Sequence, residues 1–235
     1  MIGDTNVRVM PVVAGTQIDT LEVETLVKVN ENRAPVEYMI VNQGNPDPDM
    51  YDASCDGCWL LRKDIAEKRV WDSTNNDYQN SDIHAYLNGD WTSRYDAGVL
   101  SQIKQVKIPY VNGDGGSPVA SGANGLSCKI FLLSGYELGW TTSDNSYFPR
   151  DGAKLSYFSS GTSSSANNKR IANYNGSAAS WWLRSPYTRN TSLVWYVYSN
   201  GDRNSWDYSD SIGVRPAFIL PSTARVDDNL NVIPV

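Results

Sequence analysis

The C-terminal third of the chain places a polar segment between two apolar motifs, and this pattern constrains the fold more than any other feature. The first motif, residues 180–186, is Ser-Trp-Trp-Leu-Arg-Ser-Pro, and the second, residues 212–220, is Ile-Gly-Val-Arg-Pro-Ala-Phe-Ile-Leu. Short apolar runs of this kind are typical of buried strands. Residues 187–211 between them are mostly Tyr, Ser, Asn, Asp, Arg and Thr, and include no Lys, Glu, Gln or Met. We therefore expect the flanks to form a scaffold and the middle to form a recognition surface.

The polar middle segment has the pattern of a hairpin. If residues 195–199 form a strand, Trp195 lies on one face, and Tyr196 and Tyr198 lie on the other. The Asn200-Gly201 pair that follows is a strong turn signal. Tyr, Ser, Asn and Arg on a rigid framework form the side-chain chemistry of antibody paratopes. The predicted ligand-binding residues are Tyr187, Arg189, Asn190, Ser192, Tyr196, Tyr198, Asp202, Arg203, Asn204, Ser205, Trp206, Asp207, Tyr208, Ser209 and Asp210.

The two apolar motifs each contain one arginine, Arg184 and Arg215. Each lies among apolar residues and close to a proline, where a planar guanidinium can tie loop carbonyls or carboxylates together. We therefore predict a structural role for both, in preference to anion binding in catalysis. The predicted structural frame consists of Trp181, Trp182, Arg184, Gly213 and Arg215.

Composition restricts the class of partner. The 235-residue chain has a net charge of −6 and no cluster of Lys or Arg, which disfavours duplex nucleic acid and anionic membranes as partners. No apolar run approaches the ~20 residues of a membrane span. The chain has 14 Tyr and 8 Trp but only 4 Phe, a balance that favours recognition surfaces over core volume alone. No cofactor is predicted.

Three cysteines, Cys55, Cys58 and Cys128, argue against a disulfide framework because their number is odd. A zinc site built from them and His84, the sole histidine, is the alternative to a plain loop turning on Asp56-Gly57. Redox chemistry is disfavoured because neighbouring acidic residues raise a thiol pKa. We predict the plain loop and no metal. His84 falls within a helical pattern and is expected to be a surface or core residue.

The remaining chain predicts strands first and helices afterwards. Apolar and polar residues alternate with period two over residues 7–41, and a hairpin is expected over Leu26–Val41. No domain boundary is visible, except that residues 1–20 form a candidate N-terminal arm or the first strands, before one domain over residues 21–235. Further predictions are an acidic loop at 43–56, with calcium as the alternative, a strand at 59–63, a helix from Ser81-Asp82 to Asn88-Gly89, a second helix at 93–106, a strand at 129–133, a short helix from Ser134 and a mostly irregular region at 140–180.

Four motifs occur in order: Ser-Asp-Ile-His-Ala-Tyr-Leu-Asn at 81–88, Ile-Phe-Leu-Leu-Ser-x-x-Glu at 130–137, the Trp-Trp-Leu-Arg-Ser-Pro run of the first apolar motif and Gly-Val-Arg-Pro-Ala at 213–217. Together they resemble a bacterial and phage family in the formylglycine-generating-enzyme-like branch of the C-type lectin fold. The resemblance implies an α+β, C-type lectin-like fold with antiparallel sheets, two or three short helices and a loop-rich upper half. The family pattern has Arg or Lys where this chain has His84.

The resemblance further implies that residues 187–211 form the variable region of a diversity-generating retroelement. In such systems a reverse transcriptase randomises template adenines, usually in AAY codons for Asn. Substitution of the adenines in AAC cannot produce Lys, Glu, Gln or Met, the residue types that this segment lacks. It cannot produce Trp either, so Trp195 and Trp206 require another origin. The alternative is a polar hairpin without diversification.

A non-enzymatic function is expected. The formylglycine-generating relatives rely on paired cysteines near the C-terminus, and no cysteine follows Cys128; the single histidine supports no Ser-His-Asp arrangement. We expect a display protein whose variable surface recognises a protein or glycan ligand on a cell surface, as in phage receptor binding or adhesion. A fixed-specificity carbohydrate-binding module is the alternative, and an enzyme is less favoured. The residues at the N-terminus do not resemble a secretory signal. A phage virion or bacterial cell surface is the expected location, with the cytoplasm as alternative, and a homo-oligomer is compatible with the resemblance.

Overall fold

A computed structural model describes residues 15–113 and 116–235 and has the predicted α+β character, with mostly antiparallel strands and few short helices. Strands expected before residue 15 lie outside the described residues. The α-helices are α1 (Asp82–Asn88), α2 (Ala97–Gln102) and α3 (Ser164–Asn168). The strands are β1 (Thr16–Gln17), β2 (Leu26–Glu31), β3 (Ala34–Gln43), β4 (Cys58–Arg62), β5 (Glu67–Val70), β6 (Val106–Ile108), β7 (Tyr110–Val111), β8 (Pro118–Val119), β9 (Leu126–Cys128), β10 (Ile130–Phe131), β11 (Ala172–Tyr174), β12 (Ser177–Ala179), β13 (Trp181–Pro186), β14 (Leu193–Val197), β15 (Arg203–Asp207), β16 (Ser211–Val214), β17 (Ala217–Leu220) and β18 (Arg225–Val226).

Two five-stranded sheets organise these elements. The first sheet has the order β10-β17-β4-β3-β2 and is antiparallel throughout. The second sheet has the order β15-β14-β13-β16-β5, with a parallel pairing only between β13 and β16. Both apolar motifs therefore contribute strands to the second sheet, and the polar segment between them supplies its β14 and β15.

The first sheet contains the predicted N-terminal hairpin. Strands β2 and β3 pair from Leu26↔Met39 to Glu31↔Ala34, so the predicted hairpin is confirmed. Asn32 and Arg33 form its turn with positive φ angles of 54° and 64°. The next strand, predicted at 59–63, is also confirmed, with bounds one residue earlier.

Residues 211–220 run from one sheet into the other. Strand β16 belongs to the second sheet and β17 to the first, and Arg215 lies between them. The Arg215 Nε–H donates to the carbonyl of Arg62 at 2.8 Å, and the Arg62 amide donates to the carbonyl of Pro216 at 3.0 Å. The guanidinium of Arg215 lies 4.8 Å from the ring centroid of Trp181. Arg215 thus contacts strands of both sheets.

Helix α1 follows its sequence signals. The Ser81 side chain accepts the His84 amide as an N-cap, Ile83 and Leu87 are buried, and the helix ends before Gly89. His84 is partly buried, with its ring 5.1 Å from that of Tyr78, as expected for a residue that packs at a helix surface. Burial lowers the pKa of His84 to about 4.

Two helix predictions are wrong in extent. A helix was expected over residues 93–106, but the chain forms a 3-10 turn at Asp90–Arg94, then α2, and Ile103 is extended. Val106 is already in β6, where it pairs with Cys128.

A short helix was also expected from Ser134. The reciprocal capping-box bonds form, between the Ser134 amide and Glu137 Oε2 (2.9 Å) and between the Glu137 amide and Ser134 Oγ (3.2 Å). The chain nevertheless turns at Gly139, where φ is +88°, and no helix follows. Long-range pairing and turns thus override local helical spacing.

The loop-rich region and the N-terminal segment both pack on the sheets. Residues 140–180 contain only α3 and the β11–β12 hairpin as regular elements, as predicted. In the described part of the candidate arm, Ile18 is buried and its amide donates to the carbonyl of Ala224 at 2.8 Å. Strand β1 pairs with β18, which joins the two ends of the described chain.

Candidate functional site

An open groove of about 650 Å³ runs across one face of the second sheet. Its lining combines aromatic rings with hydroxyl, amide and charged groups. The lining residues come from strands β5, β14, β15 and β16, from residues 178–180, and from the turns at residues 198–199 and 210. The groove is lined by Lys68, Ala178, Ala179, Ser180, Tyr196, Tyr198, Ser199, Asn204, Trp206, Asp210, Ser211 and Ile212.

Pairing of β14 with β15 brings the predicted residues to one face. Tyr196 is opposite Asn204, and Val194 is opposite Trp206, so these four side chains share a face of the sheet. The predicted Asn200-Gly201 turn forms between the two strands: the Tyr198 amide donates to the carbonyl of Asp202 at 2.7 Å. The hairpin thus fixes the spacing of the groove's aromatic side chains.

Three aromatic residues differ sharply in exposure. Tyr198 and Trp206 are 47% and 50% exposed, whereas Tyr196 is only 4% exposed. The ring of Tyr196 packs edge-to-face on Trp182, with centroids 6.1 Å apart, and lies 6.4 Å from the ring of Tyr198. Burial raises the pKa of Tyr196. Tyr196 is predicted as a ligand-binding surface residue; its ring is instead almost wholly buried, yet Tyr196 is among the residues that line the groove.

The opposite face of the hairpin is covered by residues 144–148. Trp195 stacks on Phe148 with centroids 3.9 Å apart, and its indole N–H donates to the carbonyl of Tyr147 at 3.2 Å. Arg203 donates to the carbonyl of Asp144 at 2.7 Å. Arg203 is thus a packing contact on this covered face.

The first residues of the predicted surface lie beside Tyr147. Tyr187 packs on Tyr147 at 4.9 Å between ring centroids, and the Arg189 guanidinium lies 5.6 Å from the Tyr147 ring. Arg189 and Asn190 are exposed, and Ser192 is partly buried, with its amide donating to Asn190 Oδ1 at 2.9 Å. These residues form a second area, outside the groove.

Asn76 holds this loop in place and was not found from the sequence. Its side chain is buried, and Nδ2 lies 3.2, 3.0 and 2.8 Å from the carbonyl oxygens of Tyr187, Asn190 and Leu193. The sequence places Asn76 in a polar loop far from these partners, so no local signal indicates the contact.

The end of the predicted surface is a turn that leads to the groove. Asp207 accepts from the Ser209 hydroxyl at 2.6 Å and from the Ser209 amide at 2.9 Å, and these two hydrogen bonds lower the pKa of Asp207. The carbonyl of Tyr208 accepts from the Trp71 amide at 3.0 Å, and Tyr208 is partly buried. Of residues 207–210, only Asp210 lines the groove, and its side chain is exposed.

Asp202 and Ser205 complete the predicted set. Asp202 and Ser205 are partly buried; Asp202 accepts from Arg203 at 3.1 Å, and the Ser205 amide donates to Asn204 Oδ1 at 2.8 Å. Neither lines the groove. Five of the predicted residues therefore meet there: Tyr196, Tyr198, Asn204, Trp206 and Asp210.

Several groove residues were missed because they come from other strands. Lys68 belongs to β5, which pairs with β16 with Gly213 opposite Lys68. Its ammonium lies 5.5 Å from the ring centroid of Tyr174 and, within the part of the chain that the structure describes, forms no ion pair. Ala178, Ala179 and Ser180 come from β12 and the residue after it. No periodicity in the sequence predicts this meeting of distant strands.

The frame behind the groove is built on Arg184. Its guanidinium contacts both carboxylate oxygens of Glu137 at 2.6 and 2.7 Å and donates to the carbonyls of Leu132 and Asp151 at 3.0 and 2.7 Å. Both side chains of the ion pair are fully buried. Arg184 thus ties these two carbonyls and one carboxylate together.

Tryptophans and a glycine complete the frame. Trp181 and Trp182 are fully buried, and their indole N–H groups donate to the carbonyls of Arg170 and Arg69, each at 3.0 Å. A Cβ atom at Gly213 would lie 2.5 Å from the carbonyl oxygen of Ser180. Only glycine fits this close approach of β16 to the end of β12.

The three thiols lie in the core, away from the groove. Cys55, Cys58 and Cys128 are buried and unpaired. Burial, more than the neighbouring Asp52, raises the pKa of Cys55, which is the opposite of what a reactive thiolate requires. Among residues 15–113 and 116–235, no three His, Cys, Asp or Glu side chains lie together as a metal site. The groove itself presents aromatic rings, hydroxyls, amides, one ammonium and one carboxylate.

Residues 56–222 match the family described as Domain of unknown function (DUF6273), and because this covers most of the chain, the protein belongs to that family. The matched region runs from β4 to the end of β17 and includes every residue that lines the groove. No curated protein and no solved structure matches the chain. In the described ranges, no helix has both the length and the apolar character needed to cross a membrane.

Proposed function

We propose that this protein is a non-enzymatic ligand-binding protein and that the groove on the second sheet is its binding site. The observation that carries the proposal is that five predicted recognition residues line one open groove and that two of them, Tyr198 and Trp206, are large and exposed. Exposed Trp and Tyr beside polar groups are the side chains that dominate binding energy at protein surfaces.

The framework gives these rings a fixed geometry before a ligand arrives. Strand β14 is buried along most of its length, and the Asn200-Gly201 turn fixes the position of Tyr198. Rings held in place lose little conformational entropy on binding. At about 2–4 kcal/mol for each hot-spot ring, Tyr198 and Trp206 together supply about 4–8 kcal/mol. That range corresponds to dissociation constants from about millimolar to about micromolar.

Binding to cells tests the proposal directly. We expect the double variant Tyr198→Ala/Trp206→Ala to lose binding of the labelled protein to a panel of bacterial cells, with a melting temperature within a few degrees of the parent. Both rings are about half exposed, so little core packing is removed. Val70→Ala, which shortens an exposed apolar side chain of β5 outside the groove, is the control and keeps binding. If the double variant binds cells as well as the parent protein does, the groove is not the binding site.

We also infer that the domain is a C-type lectin-like variable protein of a diversity-generating retroelement. The supporting pattern is that Tyr198, Asn204 and Asp210 are exposed in the groove, while Val194 and Val197 of the same segment are buried. Variation at the exposed positions changes the ligand contacts and leaves the sheet intact. The test is the sequence of the neighbouring DNA: a reverse transcriptase gene with a near-copy of the segment that encodes residues 187–211, differing at adenines, is expected. A locus without such a copy would exclude diversification.

A fixed-specificity carbohydrate-binding module is the second candidate. Trp206 favours it, because this exposed ring cannot arise from an AAC codon, and a constant aromatic platform suits a constant ligand. A glycan array that shows one sugar class, together with sibling sequences that share residues 187–211, would support this candidate over the first. In either case we place the protein on a phage virion or a bacterial cell surface, as a monomer or homo-oligomer, with a cytoplasmic binding role as the alternative.

A further inference from the structure

Among the residues that line the groove, the one cationic side chain is Lys68, which lies outside residues 187–211. Lys68 on β5 is exposed, and within the described ranges it forms neither an ion pair nor a side-chain hydrogen bond. We propose that the groove takes an acidic carbohydrate, with a carboxylate of the ligand against Lys68 Nζ and a sugar ring against Trp206. This inference rests on the proposed binding role of the groove and adds the chemical class of its ligand.

The dimensions of the groove favour an oligosaccharide over a protein surface. Its volume of about 650 Å³ lies within the roughly 300–1,000 Å³ range of small-ligand sites. A stable protein–protein interface instead covers roughly 800 Å² on each partner. A short chain of sugar rings fills such a groove, whereas a globular partner needs contacts well beyond it.

The lining also matches a sugar. Trp206 and Tyr198 offer flat apolar faces to the C–H faces of a pyranose ring. Hydroxyl and amide groups of Ser180, Ser199 and Asn204 lie beside them and can both donate and accept hydrogen bonds, as sugar hydroxyls require.

Charge then selects among sugars. The chain has a net charge of −6, so an anionic ligand is repelled by most of the molecule, and a local cation is needed to hold it. Lys68 lies outside residues 187–211, so this cation stays constant, as Trp206 does on the codon argument, while Tyr198 and Asn204 vary. Asp210 is an exposed carboxylate in the same groove; it can accept from sugar hydroxyls but weakens the hold on a carboxylate.

The test compares short acidic oligosaccharides (oligogalacturonate, oligoglucuronate and a sialic-acid-terminated chain) with the methyl ester of each. Esterification removes the charge and keeps the ring, and calorimetric titration measures affinity. At least one acidic probe is expected to bind more tightly than its ester. For that probe, Lys68→Gln weakens binding about fivefold and Lys68→Arg retains it, since an exposed ion pair contributes up to about 1 kcal/mol. Asp210→Asn strengthens binding about twofold.

Controls separate this inference from the proposed function. Arg150→Gln removes an exposed cation two residues after Phe148, on the covered side of the hairpin, and leaves affinity unchanged. Binding of every acidic probe no tighter than its ester, or an unchanged affinity in Lys68→Gln, would overturn the acidic-sugar assignment. If the Tyr198→Ala/Trp206→Ala variant still loses cell binding in that event, the binding role of the groove stands and its ligand is a protein or a neutral glycan. If both experiments fail, the groove is not the ligand-binding site.

Discussion

The buried ion pair between Arg184 and Glu137 shows how a single residue supports the groove. Arg184 forms hydrogen bonds to both Glu137 oxygens and to three carbonyls, those of Pro109, Leu132 and Asp151. Both charges are out of water, and among residues 15–113 and 116–235 Glu137 is the only carboxylate in ion-pair contact with Arg184, although Asp151 also lies near enough to interact with it. Removal of one partner therefore leaves the other as an unpaired buried charge.

We expect Glu137→Ala to lower the free energy of unfolding by about 3–5 kcal/mol, because Arg184 is then left uncompensated in the core. The control is Glu37→Ala. The Lys63–Glu37 pair is as short, at 2.6 Å, but its side chains are 41% and 42% exposed. That variant should cost less than about 1 kcal/mol. Urea unfolding measures both, and equal losses would contradict the assigned difference in burial.

Asp151, which is buried, and His84, which is partly buried, make stability depend on pH in opposite directions. Asp151 accepts from Ser185 Oγ at 2.7 Å through one oxygen, and its other oxygen is buried with no hydrogen-bond partner among the described residues. Burial raises the pKa of Asp151 to about 6. Burial lowers the pKa of His84 to about 4. As pH falls from about 6.5 to 4, the folded state gains a proton at Asp151, which stabilises it, while the unfolded state gains one at His84, which destabilises the fold.

Single substitutions should separate these effects. His84→Gln removes the contribution of His84 and keeps that of Asp151, so stability should rise on acidification from pH 6.5 to 4.5 relative to the parent. In Asp151→Asn, it should fall over the same interval. Each change is on the order of 2 kcal/mol and is measured as a melting temperature at stepped pH. Hydrogen bonds to Asp72 lower the pKa of its carboxyl despite burial. Protonation of Asp72 therefore reduces the free energy of unfolding only below about pH 4. Parallel pH profiles for the two variants would rule out this assignment.

Residue roles that depend on near neighbours were predictable, and those that depend on distant strands were not. The Ser81 cap and the structural role of Arg184 follow from residues beside them in the chain. The burial of Tyr196 requires knowledge that Trp182 lies under it. The presence of Lys68 in the groove requires the pairing of β16 with β5. Period-two alternation gives the face of a side chain, but not what covers that face.

At the level of elements, the β14–β15 hairpin is held by helix α3. Gly201 in its turn has a φ of +82°, and a Cβ atom there would overlap the carbonyl oxygen of Asn167. The hairpin turn thus lies directly on the last turn of α3. Gly176, in the turn of the β11–β12 hairpin, has nearly the same φ of +81° but no atom within 4 Å of the corresponding position.

This pair of glycines gives a matched test of packing against backbone strain. Gly176→Ala carries only the positive-φ cost, about 1 kcal/mol. Gly201→Ala carries that cost and the clash with α3, so we expect a loss of at least about 2–3 kcal/mol in chemical unfolding and weaker ligand binding, because Tyr198 moves with the turn. Similar losses for both variants would show that α3 does not restrain the hairpin.

Elements were predictable where a local signal also had a matching tertiary environment. The β2–β3 hairpin has alternation, a turn and a sheet to join, and it forms as expected. The segment predicted as one helix over residues 93–106 has helical spacing, but Val106 is drawn into β6 by its pairing with Cys128. Helical propensity over so short a segment is too weak to resist such pairing.

For the whole molecule, the α+β class was predictable, but the strand order was not. The apolar motifs were expected to be core strands, and β13, β16 and β17 are. Their partners, however, are β5 for β16 and β4 and β10 for β17, and β13 runs parallel to β16. Such pairings join residues far apart in the sequence, and hydrophobic patterns carry no information on which distant strands meet.

Residues 211–220 pass from the second sheet to the first, and Arg215 lies at this crossing. Its side chain binds the end of β4 through the Arg62 carbonyl and packs on Trp181 of β13. Arg215 is therefore a buried contact shared by both sheets, and a substitution of Arg215 should destabilise both sheets.

We expect Arg215→Lys to lower the free energy of unfolding by roughly 2 kcal/mol, because an ammonium cannot reproduce the planar stacking on Trp181 together with the directed Nε–H bond. Hydrogen exchange should show faster exchange in β4 and β16 by the same factor, since the two strands open as one unit. Arg150→Lys, an exposed change, is the control and leaves exchange unaltered. Faster exchange confined to β16 and β5 would mean that the second sheet opens independently. The groove would then be a separately mobile surface, and its rings would not be held in place before a ligand binds.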